Sequence, residues 1–129
     1  MMPVPITALY AALQGILAIA LQMPIGRLRG VANASIGDGG NPALAVAIRR
    51  HANWTEHVPF ALLLLALLEL NGASAGLLHG LGAGLLVARI AHPLGLDATV
   101  MRRPLRFAGA LGTLLVVVVS IVALLRQAL

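Results

Sequence analysis

The chain has 129 residues, of which 60% are hydrophobic and 10% charged, with a mean hydropathy of +0.96. A soluble domain carries roughly 25% charged residues, so this composition excludes a compact water-soluble fold and predicts a single-domain polytopic membrane protein spanning 1–129. Cysteine and lysine are both absent and the net charge of +5 rests on arginine alone, which excludes disulfides, thiolate metal sites and a cysteine nucleophile.

Four apolar segments follow in chain order, each near the ~20 residues a helix needs to cross the hydrocarbon core. The first runs from about Ile6 to Met23, and Pro24, Gly26 and Arg27 are expected to close it. It has neither a basic leader nor a small-residue cleavage site, so it reads as a retained span. The connector GRLRGVANASIGDGGNP is rich in turn formers, and Asn41 or Pro42 is placed to open the next helix. The second segment starts amphipathic at Pro42, becomes fully apolar from Val58 to Leu70 and stops at Asn71-Gly72. The third covers about Ala73 to Ile90, with Gly76, Gly80 and Gly84 forming a smooth strip suited to close helix packing. Arg89 and His92 end it and are expected to snorkel toward the interface. The fourth covers about Phe107 to Leu125.

The basic residues cluster by loop. Arg27, Arg29, Arg49 and Arg50 flank the first connector, and Arg102, Arg103 and Arg106 lie in the third, whereas the turn between the second and third segments is uncharged. By the positive-inside rule both clusters are cytoplasmic and both termini lie outside. Arginines confined to short loops do not make a nucleic-acid surface, and nucleic acid is excluded as a partner.

The stretch RRHANWTEHVPF at 49–60 carries the most chemistry. At about 100° per residue, Arg49, Asn53, Glu56 and His57 fall on one stripe of the second helix. Such a stripe cannot face lipid; it must face the bundle interior, a water-filled cleft or another subunit. A salt bridge of Arg49 or Arg106 with Glu56 is the purely structural reading of this stripe. Arginines outnumber carboxylates here, however, and a planar guanidinium suits carboxylate and phosphate ligands. His51, His57, His79 and His92 show no metal-ligand spacing, and GDGGNP lacks the lysine of a phosphate-binding loop.

Taken in order, GDGGNPALAVAIRRHANWTEHVP (37–59), LLELNG (67–72), LHGLGAGLLVARIAHPLGL (78–96) and RRPLR (102–106) resemble the MAPEG superfamily, the membrane-associated proteins of eicosanoid and glutathione metabolism, and in particular its small bacterial members. The resemblance covers nearly the whole chain. It implies an all-α four-transmembrane-helix bundle that assembles as a homotrimer in the bacterial inner membrane. It further implies glutathione as thiol co-substrate, bound between subunits, with the membrane lipids and a lipophilic small-molecule substrate dissolved among them as the other partners. Arg49, Asn53 and Glu56 match the family's glutathione-holding residues, with His57 beside them. Arg27 or Arg29 matches a basic residue after the first span, and Arg89 and His92 match polar positions late in the third. Arg102 and Arg106, flanking Pro104, match the arginines from which the thiolate-stabilising one is drawn.

This chain departs from the family at Leu96, where several members place a tyrosine, and at Phe107, where one branch has a serine. The expected function is a glutathione transferase- or peroxidase-like membrane enzyme. The rivals are a non-catalytic protein of the same fold and a small four-span exporter. The exporter needs a mid-membrane acid, and Glu56 and Glu69 lie at the two ends of their segment instead.

Overall fold

A computed structural model describes residues 3–100 and 103–129. Four helices account for nearly all of them: α1 (Pro5–Ala32), α2 (Pro42–Leu70), α3 (Ala75–Leu94) and α4 (Pro104–Ala128), with no strand among the described residues. The chain is an all-helical bundle. Every helix except α3 has proline in its first turn, where a missing N–H costs nothing. The side chain of Asn41 caps α2 by accepting from the N–H of Leu44, and Ser74 caps α3 by accepting from that of Leu77.

Helix α1 differs from the expectation. It does not close at Pro24 but runs on to Ala32, where Asn33 caps it in the left-handed conformation. A proline inside a helix removes one hydrogen bond, but ending the helix there would strip several backbone groups of partners in an apolar medium. Continuation is the cheaper outcome, and it carries Arg27 and Arg29 on the helix itself. Pro59 in α2 and Pro93 in α3 are accommodated likewise.

Three helices, α1, α3 and α4, are long and apolar enough to cross a membrane. Helix α2 is the longest at 29 residues, but its first half carries Arg49, Arg50 and Glu56. Its uninterrupted apolar part, Val58 to Leu68, extends only about 16 Å.

The helices alternate in direction, so the chain has two unlike ends. At one end the first turn of α1 meets the last turn of α2. No side chain of its own caps α1. Instead the Glu69 carboxylate accepts from the backbone N–H groups of Ile6 (2.9 Å) and Thr7 (2.7 Å), satisfying two orphan donors of that terminus. Tyr10 joins α1 to α3, with its hydroxyl 3.1 Å from Nδ1 of His79. Its ring lies over Gly82, where any Cβ would collide with it. The main apolar cluster, Tyr10, Leu65, Leu68, Leu78 and Leu81, sits at this end.

At the other end gather the last turn of α1, the polar half of α2, the end of α3 and the start of α4. Helices α3 and α4 approach closely there: a Cβ on Gly109 would lie 2.6 Å from the Ala88 carbonyl oxygen and from the His92 nitrogen. The glycine strip singled out in the sequence is not what makes this contact. Gly76 and Gly80 have nothing within 4 Å of an added Cβ, and Gly84 meets only Val116 at 3.4 Å.

Candidate functional site

The polar stripe of α2 faces a cleft bounded by α3 and α4. A cavity of about 240 Å³ is lined by Asn53, Glu56, His57 and Phe60 from α2, by Arg89 and His92 from α3, and by an α4 wall that includes Thr113 and Leu114. Four of the expected binding positions on two different helices are thus joined by a fifth, His92, in one hollow.

Arg89 is the centre of this arrangement. It is 2% exposed, so the expected snorkelling does not occur: α3 continues past it to Leu94, and the side chain turns inward. Its Nη1 donates to Oδ1 of Asn53 at 2.8 Å, and its Nη2 lies 3.4 Å from the carbonyl oxygen of Gly109. That carbonyl also accepts from Thr113 Oγ1 at 2.8 Å. Nε of Arg89 has no partner, and among the described residues no carboxylate forms an ion pair with this guanidinium. A buried cation held only by neutral acceptors is expensive, and the remaining deficit is one of negative charge. His92 is also buried, and Arg89, Arg106, His57 and Arg49 all lie within electrostatic reach of it.

Arg49 and Glu56 sit at the rim. They form a bidentate pair, with Nη1–Oε1 2.8 Å and Nη2–Oε2 2.9 Å. Their side chains are 54% and 47% exposed. The structural reading of this stripe is therefore realised with Arg49 as the partner of Glu56, while both groups stay accessible to a ligand.

The other expected residues are placed as follows. Arg106 lies half-buried in the first turn of α4, and its backbone packs so closely on Gly95 that no side chain would fit at that position. Arg102 lies outside the described residues. Arg27 is exposed on α1. Arg29 is engaged by its own connector, donating from Nη1 to the carbonyls of Ala34, Ser35 and Gly37 at 3.0–3.1 Å. Within one chain neither α1 arginine lines the cleft. No cluster of three His, Asp or Glu side chains suited to a metal is present among the described residues.

Two further residues belong to the site though the stripe did not signal them. Thr113 shares the Gly109 carbonyl with Arg89, and Gly109 permits the approach that brings this carbonyl there. An isolated threonine and glycine in an apolar helix carry no signal of their own; only the partner helix shows what they serve.

Fold and site together define a polytopic helical membrane protein with a cationic cleft at one end of its bundle. A family model described as MAPEG family matches residues 7–126. The chain is 36% identical over 97 residues to Inner membrane protein YecN of Escherichia coli strain K12, a match covering 75% of this chain and 74% of that protein. The protein of the same name from Escherichia coli O6:H1 matches over the same length with the same identity. No solved structure matches. The chain belongs to the MAPEG family.

Proposed function

We propose that this protein is a membrane-embedded, glutathione-dependent enzyme of the transferase or peroxidase type, working as a homotrimer in the bacterial inner membrane with its arginine-rich end in the cytoplasm. The observation that carries the reading is Arg89: a buried guanidinium, oriented by Asn53 and without a carboxylate partner among the described residues, in the wall of a cleft. Such a group calls for an anionic guest. Glutathione supplies two carboxylates, an ammonium and a thiol. Arg89 and Arg49 suit the carboxylates and Glu56 suits the ammonium, while Asn53 can donate or accept. His57 and His92 complete the polar lining. Arg27 or Arg29 is contributed by a neighbouring subunit, which fits the distance of α1's end from the cleft within one chain.

The chemistry asked of the protein is to favour the thiolate. A free thiol has a pKa near 8.5, and an adjacent guanidinium lowers it; a shift of two units needs about 2.7 kcal/mol. Arg106 is assigned this role, with Arg102 as the alternative. The thiolate then attacks a lipophilic electrophile that reaches the cleft from the bilayer past Phe60 and Leu114, both of which are exposed apolar residues.

The rival is a non-catalytic membrane protein of the same fold, favoured by the mutual neutralisation of Arg49 and Glu56. Calorimetry with glutathione on detergent-solubilised protein separates the two. Saturable binding that weakens about tenfold or more in both Arg49→Ala and Glu56→Gln is expected. Absence of binding to the wild type overturns the glutathione reading in favour of the rival. In Arg106→Ala, binding should persist while the thiol pKa, read from thiolate absorbance, rises; an unchanged pKa moves the role to Arg102.

A further inference from the structure

A second cavity, of about 470 Å³, lies between α1, the first turns of α2 and the α3–α4 connector, and shares no residue with the cleft. Its walls are apolar, with Leu21, Pro24 and Leu28 on one side and Ala43, Val46 and Ala47 on the other. Arg50 also lines it. This side chain donates from Nη2 to the carbonyl of Leu96 at 2.9 Å, while its buried Nε finds no partner among the described residues. No carboxylate pairs with Arg50 among the described residues. Asp97, the acid on the cavity wall, is already taken: its Oδ1 accepts from Thr99 and Val100, and its Oδ2 lies 3.2 Å from Arg103.

One more source of positive potential lies in the wall of this slot. The N-terminus of α2 opens at Pro42 and Ala43, both in the wall, and presents the positive end of its dipole. The apolar wall on α1 runs from Ala20 to Leu28, about 12 Å. A slot that sets a guanidinium without a carboxylate partner beside an aliphatic wall suits an anionic phospholipid. Basic pockets between membrane helices hold such head groups.

We propose that this cavity binds one anionic phospholipid, with its phosphate on Arg50 and one acyl chain along α1. The volume lies within the range of small-molecule sites, so it takes the head group and part of one chain while the second chain stays in the bilayer. Because the cavity and the cleft have no residue in common, failure of this proposal leaves the glutathione reading untouched, and the reverse.

The test is native mass spectrometry of the full chain in non-ionic detergent, with dioleoylphosphatidylglycerol as probe and dioleoylphosphatidylcholine, oleate and inorganic phosphate as comparisons. Saturable retention of the glycerol lipid in preference to all three is expected. Retention should fall at least fivefold in Arg50→Gln and also in Ala43→Trp, which fills the slot from an exposed position without removing the guanidinium. Equal retention of the choline lipid, or of oleate, overturns the proposal. So does undiminished retention in Ala43→Trp. If Ala43→Trp instead lowers the mass of the oligomer with lipid retention unaltered, the slot is covered by a second copy of the chain and the proposal is wrong.

Discussion

Arg89 and Arg49 have the same charge and opposite circumstances. Arg89 is buried, with an amide and a carbonyl for company; Arg49 is half in water and paired to Glu56. The consequence of losing a partner differs accordingly. Removing Asn53 leaves a buried cation short of its best acceptor, so Asn53→Ala should destabilise the protein by about 2 kcal/mol, visible as a lower melting temperature in detergent. Removing Glu56 from an exposed pair should leave the melting temperature nearly unchanged, so that Glu56→Gln is a clean probe of ligand binding. The α2 stripe was legible in the sequence because helical geometry alone puts Asn53, Glu56 and His57 on one face. The inward turn of Arg89 was not. A charge near the end of an apolar segment reads equally as a snorkelling group or a buried one, and what decides between them is Asn53, thirty-six positions away.

At the level of elements, the four helices and most of their boundaries could be read from prolines, caps and apolar runs. The end of α1 could not, because Pro24 and Gly26 signal a break that the apolar surroundings override. Glycine roles were also misleading in advance. Regular spacing drew attention to Gly76, Gly80 and Gly84, whereas the contacts that need a missing side chain fall at Gly82, Gly95 and Gly109. Gly109→Ala should force α3 and α4 apart and cost about 1–3 kcal/mol. Gly80→Ala should leave the fold of a single chain intact, and it adds helix propensity of up to about 1 kcal/mol. If Gly80→Ala dissociates the oligomer in size-exclusion chromatography while the helices persist by circular dichroism, that strip belongs to contacts between subunits. The cap that Glu69 lends to α1 is another cross-element dependence: Glu69→Ala should cost about 1 kcal/mol and loosen the first turn of α1 in hydrogen exchange.

Over the whole molecule, the distribution of arginine foretold that both basic clusters share one end, and the Arg50–Leu96 bond there joins α2 to the α3–α4 connector. The α3–α4 connector depends on Asp97, whose carboxyl is held below its usual range, chiefly by the Thr99 backbone N–H, with the Thr99 hydroxyl, Val100 and Arg103 adding to it. A depressed carboxyl pKa contributes order above the unfolded value and loses it as pH falls through the folded one. Proteolytic protection of this connector should therefore persist through the ordinary aspartate range near pH 4 and fail only below it, whereas Asp97→Ala should be cut at every pH. The two ends of the bundle also differ in what fills them. The apolar cluster around Tyr10 and Leu68 and a cavity of about 520 Å³ between the start of α3 and the end of α4 lie at the end of Glu69, and the clefts beside Arg89 and Arg50 lie at the other. An anionic guest that neutralises the Arg89 guanidinium should therefore act as a splint for that end alone, raising hydrogen-exchange protection around Asn53 and Gly109 while leaving the Glu69 end unchanged.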